Sequence, residues 1–159
     1  MPVKNIEAIL KETKIYQILR PKCVNSPPDI TLQEALDLMH REKSGYIVIR
    51  DEHIRVLGLF TERDVLMKVL KPGVNLNAPV KKYMHTDLVE LSKSDTVGAA
   101  IDAMKKYNVR HIPLVDELGQ MAGVLSVRTI ANFLSELFPT EVFNLPPKSD
   151  QTFNTTEGG

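Results

Sequence analysis

The chain has 159 residues, 43% hydrophobic and 25% charged, with twenty basic and twenty acidic side chains that cancel. That length supports one compact domain or two small units sharing a core, and a neutral balance disfavours nucleic acid or anionic membrane as a general partner, because both need a positive field. No apolar run approaches the ~18 residues that span a bilayer, the opening Met-Pro-Val-Lys-Asn lacks the apolar stretch of a signal peptide, and the lone Cys23 has no internal disulfide partner, so the expected location is cytoplasmic.

Residues 1–14 are expected to hold a short N-terminal helix from Asn5 to Lys14, with Asn5 as its cap and Ile6, Ile9 and Leu10 on one face. Cys23-Val24 reads as a short strand ended by Pro27-Pro28. Thr31 caps a helix whose Leu32, Ala35, Leu36 and Met39 form a stripe of 3.6-residue period. Tyr46–Arg50 and Val56–Phe60 are β-rich runs joined by a polar turn, which predicts a hairpin. Thr61 begins a further helix with Val65, Leu66, Val69 and Leu70 expected inward, ended by Pro72-Gly73.

The order then repeats: Leu88–Glu90 as a strand, Thr96 as a cap, Val97, Ala100, Ile101 and Met104 as a stripe, His111–Val115 and Met121–Leu125 as a hairpin, and a last helix from Ser126 to about Leu137. From Pro139 onward, prolines and polar residues predict a partly mobile tail over 138–159, in which Val142, Phe143 and Leu145 could strap back over the body or a partner.

The second half is a copy of the first. Sliding the chain by 65 positions superposes 22–66 on 87–131 with ten identities in 45 and no gap: Val24/Val89, Thr31/Thr96, Ala35/Ala100, Asp37/Asp102, Met39/Met104, Ile47/Ile112, Asp51/Asp116, Glu52/Glu117, Gly58/Gly123 and Arg63/Arg128. Chance would give roughly three. Each unit reads strand–helix–strand–strand–helix, and about 55 residues are marginal alone. The expected fold class is therefore α+β, with two β-α-β-β-α units, 15–71 and 80–137, packed about a pseudo-two-fold axis that leaves two related clefts.

Thr61 and Asp64 stand at a helix start. They can form a capping box, in which the hydroxyl accepts a backbone N–H and the carboxylate reaches back. The same geometry suits a ligand: a helix N-terminus attracts phosphate, and a carboxylate accepts hydrogen bonds from vicinal ribose hydroxyls. Glycine at 58 would let a ligand approach the backbone. The second copy keeps the hydroxyl, as Ser126, but has Thr129 in place of Asp64. The two clefts should therefore be unequal.

The run Gly58-Leu-Phe-Thr61-Glu-Arg-Asp64, the segment Val109–Asp116 and the repeat that carries them resemble a tandem pair of CBS domains, a Bateman module, over about residues 15–137. The resemblance implies an adenine-containing ligand (AMP, ADP, ATP, NAD or an S-adenosyl compound) between the repeats, regulation of a partner, and a homodimer. It also implies that the cleft using Asp64 is completed by the other repeat: Arg110, His111 and Arg128 would supply three potential cations for phosphate, and Thr86, Leu88 and Val89 would hold the adenine. The weaker cleft would combine Ser126 and Thr129 with Lys22, Val24, Gly45, Tyr46 and Arg63, with Gly45 leaving no side chain where the other has Arg110.

No nucleophile motif, phosphate-cradling glycine loop or metal-ligand spacing is present in the sequence. The expectation is a regulatory ligand-binding module, not an enzyme, with no required cofactor and no metal. The alternative is a constitutive dimerisation or interaction scaffold with empty clefts.

Overall fold

The structure, a computed structural model, describes residues 5–137. Helix α1 (Ile6–Glu12) is capped by Asn5, whose side chain accepts from the Ala8 N–H at 2.8 Å. The first repeat contains β1 (Asn25–Ser26), α2 (Leu32–Glu42), β2 (Tyr46–Arg50), β3 (Val56–Thr61) and a single turn α3 (Glu62–Asp64). The second contains α4 (Val97–Tyr107), β4 (His111–Val115), β5 (Met121–Ser126) and α5 (Val127–Leu137). Thr31 and Thr96 cap α2 and α4 through equivalent bonds, to the N–H groups of Glu34 and Ala99. The tail expected over 138–159, with Val142, Phe143 and Leu145, lies outside the described residues.

Both hairpins form in matching register, Ile47 opposite Phe60 and Ile112 opposite Leu125, each with an irregularity at its far end. The first short strand differs from expectation. It is Asn25–Ser26 and not Cys23-Val24, pairing parallel to β2 at Val48 and Ile49. In the second copy Leu88–Glu90 form no strand, and the parallel contact is one bridge between Leu91 and Leu114. Ser26/Leu91 and Ile49/Leu114 are each 65 positions apart, so the two copies share this contact. Two residues carry no periodicity, which is why their register escaped the pattern.

The helix after Thr61 also departs from expectation. After one α turn it widens into a π turn over Val65–Val69, closed by the Leu70 N–H on the Val65 carbonyl at 3.0 Å. Pro72 follows, and a proline ring collides with the carbonyl four residues before it. Only Val69 is buried; Leu66 and Leu70 are 64% and 68% exposed and do not face inward. The equivalent α5 has no proline and runs as a regular helix for eleven residues.

The repeats exchange the segments that precede them. Ile15 is fully buried in the core of the second repeat, with Val97, Ile112, Leu114 and Leu125. Val80, 65 positions later, is fully buried in the core of the first, with Leu32, Ile47 and Phe60. Equivalent hydrogen bonds fix both: the Val97 N–H to the Thr13 carbonyl, and the Leu32 N–H to the Ala78 carbonyl, each 2.9 Å. Each exchanged segment then runs across β3 or β5. The first reaches Gly123, where a Cβ would fall 2.9 Å from the Leu19 side chain. The second reaches Gly58, where it would fall 2.6 Å from Met84 Sδ and 2.9 Å from the His85 carbonyl oxygen.

A third cluster joins the repeats: Val48, Leu59 and Val124, with Cys23, Tyr46, Val56, Leu88 and Met121 packed on it. Cys23/Leu88, Val56/Met121 and Leu59/Val124 are equivalent positions, as expected for packing about a pseudo-two-fold axis. Because Ile15 completes the core of a repeat that begins 65 residues later, Ile15→Ala is expected to cost about 2–5 kcal/mol in urea unfolding. In native-state hydrogen exchange β4 and β5 should lose protection before β2 and β3; earlier loss in β2 and β3 would contradict the exchange.

Candidate functional site

Asp64 is the centre of the most connected polar cluster among the described residues, and it is only 5% exposed. Its Oδ2 accepts from the Thr61 N–H at 2.9 Å, the Thr61 hydroxyl at 3.0 Å and His85 Nδ1 at 2.8 Å. Its Oδ1 pairs with Lys68 Nζ at 3.0 Å. The Asp64 N–H points back to Thr61 Oγ1 at 3.4 Å, which completes the expected capping box. The exchanged segment supplies His85, which pairs with Leu59 of β3 through two backbone bonds. Lys68 also donates to the Tyr83 carbonyl at 3.0 Å, tying the π turn to the same segment.

Burial pushes the Asp64 pKa up, but the hydrogen bonds from His85 and Lys68, with the Thr61 N–H, outweigh it and bring the value down to about 2. An ionised carboxylate has no proton to give, so His85 Nδ1 carries the hydrogen between them. The charge is fixed, internal and matched on both oxygens.

Beside this cluster the two repeats touch through Tyr46 and His111, whose ring centroids lie 5.3 Å apart at 49°. These are equivalent positions of the two copies, so the pair sits at the pseudo-two-fold axis and the two clefts adjoin there. Burial lowers the His111 pKa, Arg110 and His85 push the same way and Glu62 opposes them; His111 is neutral at pH 7. Of the three cations expected for phosphate, only Arg110 and Arg128 therefore carry charge. Both are exposed. Burial raises the Tyr46 phenol to about 12 and the Cys23 thiol above its ordinary value, and Cys23 Sγ lies 3.6 Å from Met121 Sδ. A half-buried thiol held protonated in this way is a poor nucleophile.

The remaining residues of the expected main cleft divide. Thr86 is exposed and Val89 half-buried, while Leu88 belongs to the cluster between the repeats. Gly58 is covered by Met84 and His85, and its lack of a side chain is explained by that crossing. Of the weaker cleft, Ser126 and Thr129 repeat the cap without a carboxylate: the two hydroxyls are 3.1 Å apart and the Thr129 N–H reaches Ser126 Oγ at 3.1 Å. Lys22 pairs with Glu42, Val24 is buried in the first core, Gly45 is covered by the Glu62 side chain, and Arg63 is exposed. Two surface hollows of about 380 and about 390 Å³ lie elsewhere, one beside Asp116 and Leu118, the other beside Arg20 and Met121. Neither is lined by Asp64.

Lys68 and His85 were not singled out by the sequence reading. Lys68 had a local signal, four residues after Asp64 on a predicted helix. His85 had a fainter one: its equivalent by the 65-residue shift is Arg20, another nitrogen donor.

The Asp64 carboxyl takes up its proton near 3.8 in the unfolded chain and near 2 in the folded one. Between those values the unfolded state binds more protons, so this contribution is complete above 3.8 and is lost as pH falls through about 2. Its size is about 2 kcal/mol. The stability advantage of the native chain over Asp64→Asn, measured by urea unfolding, should therefore shrink by about that amount between pH 5 and pH 2. A constant difference across that range would show that Asp64 is not held in this way.

The model of the CBS domain matches residues 15–71 and again 80–136. The chain is 31% identical over 125 residues to a 17.7 kDa protein of Acidianus ambivalens, covering 79% of this chain and 75% of that one. It is 28% identical over 122 residues to the inosine-5'-monophosphate dehydrogenase of Aquifex aeolicus, matching 76% of this chain but only 24% of that enzyme. Among solved structures, a CBS domain protein of Pyrobaculum aerophilum complexed with AMP has a TM-score of 0.70 at 25% identity, covering 78% of this chain and 97% of that one. The CBS domain pair of protein MJ0100, in complex with 5-methylthioadenosine and S-adenosyl-L-methionine, shares the fold with a TM-score of 0.71 at 19% identity, covering 79% and 98%. With two matched units covering most of its length, an exchanged core and a shared axis, the chain belongs to the CBS domain family and carries two of these domains in tandem.

Proposed function

We propose that this protein is a regulatory module that binds an adenine nucleotide in the cleft carrying Asp64 and signals occupancy through the arrangement of its two repeats. The observation that carries the reading is the asymmetry at the helix starts: one holds a buried, ionised carboxylate between the repeats, the other only hydroxyls. A carboxylate can accept a hydrogen bond from a ribose hydroxyl, and Arg110 brings positive charge to the neighbourhood of His111. The AMP complex of the Pyrobaculum aerophilum protein supports this ligand class. Thr86, Leu88 and Val89 would bound the base, and Arg128 would meet phosphate. For binding to regulate anything, the ligand must prefer one arrangement of the repeats. The exposed Leu66, Met67 and Leu70 offer an apolar surface for a second copy, and we place the module as a homodimer on that ground.

A second reading is favoured by one observation. Both Asp64 oxygens already have partners and neither hollow reaches them, as expected of a constitutive scaffold that binds no nucleotide.

Thermal unfolding with AMP, ADP, ATP, NAD and S-adenosylmethionine separates the two. A ligand at a hundred times its dissociation constant adds about 2.7 kcal/mol, and each kcal/mol moves the midpoint of a chain this size by roughly 2–4 °C. The sensor reading predicts a rise with at least one of them, abolished in Asp64→Ala and retained in Thr129→Ala. Absence of any shift favours the scaffold, and a shift lost only in Thr129→Ala places the ligand in the other cleft.

A further inference from the structure

The partners of Asp64 are not equally fixed. The Thr61 N–H and hydroxyl belong to the turn that begins the helix, and neither can leave Oδ2 without undoing it. His85 is held by its backbone pairing with Leu59 at 2.9 and 3.0 Å. Oδ1, by contrast, has one partner among the described residues, the Lys68 ammonium at 3.0 Å. The Lys68 side chain is 39% exposed and sits on the π turn, where the helix has already widened. A lysine stem is flexible and its ammonium is readily hydrated, so Lys68 is the donor that can depart at least cost.

We propose that Lys68 is an internal competitor of the ligand. Without ligand its ammonium occupies Oδ1, and a ribose hydroxyl takes that place when a nucleoside or nucleotide binds. This rests on the reading of Asp64 as the ribose-binding carboxylate and adds a specificity-determining residue to it. The competition also links the site to the chain between the repeats. Lys68 holds the Tyr83 carbonyl at 3.0 Å with the same ammonium, so its departure loosens the tie between the π turn and the segment that brings in His85. Occupancy of the cleft is thereby read by a residue that spans two elements. In the other cleft Phe133 stands at the position equivalent to Lys68.

The test is calorimetric titration of AMP and of adenosine into the native chain, Lys68→Met and Lys68→Arg. Lys68→Met removes the competing donor and keeps the stem, and adenosine, which has the base and the ribose but no phosphate, reads the ribose site without the phosphate contacts. Adenosine is expected to bind Lys68→Met about 3- to 10-fold tighter than the native chain, the net worth of one ordinary hydrogen bond. Lys68→Arg keeps a charged donor and should stay near the native affinity; a merely structural loss would weaken binding in Lys68→Met. Adenosine binding that is equal or weaker in Lys68→Met overturns the competitor while leaving the nucleotide site standing. Failure of both AMP and adenosine to bind any of the three proteins overturns the competitor and the site together.

Discussion

Neither repeat closes its own core. Ile15 and Val80 each fill the repeat that lies farther along or farther back in the chain, at equivalent positions and with no exposed surface. A unit of about 55 residues is marginal alone, and exchanging a buried side chain makes each unit a condition of the other. The exchange also dictates where the connecting chain must run. From Val80 it crosses β3 over Gly58, where the His85 carbonyl leaves no room for a side chain, and from Ile15 it crosses β5 over Gly123, whose φ of +142° favours glycine. His85 is carried to Asp64 by this path.

The polar chemistry follows from that placement. A carboxylate taken nearly out of water must find donors or lose its charge. Asp64 finds them on three elements: the helix start, the π turn and the exchanged segment. The equivalent Thr129 has no charge to satisfy, and its surroundings need only the hydroxyl of Ser126. The frame is nearly symmetric, as the tilted ring contact of Tyr46 with its equivalent His111 shows, while the chemistry on either side of the axis is not.

Much of this was written in local patterns. The caps at Asn5, Thr31, Thr61 and Thr96, the two hairpins and the stripes of α2 and α4 all follow from signals within a few residues, and the structure forms them. What escaped was non-local or too short. The two-residue β1 has no period to detect, and the inward face assigned to Leu66 and Leu70 assumed a helix that Pro72 cuts short. His85 lies 21 residues from the carboxylate it binds, and no spacing rule connects them. The exchange of segments was invisible because the repeats are similar: Ile15 and Val80 fit either core by size and polarity. At the site itself, Thr61 and Asp64 were legible as a pair, whereas the burial that lowers the His111 pKa is a product of the fold.

Under the proposed function, ligand binding is centred on Asp64 and not on its equivalent. The most direct measurement is a nuclear magnetic resonance titration with AMP that follows backbone amide shifts across the chain. Saturating shifts are expected at Thr61, Asp64, His85 and Thr86, with Ser126 and Thr129 unaffected or responding only at higher concentration. Shifts centred on Ser126 and Thr129, or confined to the hollow beside Arg20 and Met121, would contradict it.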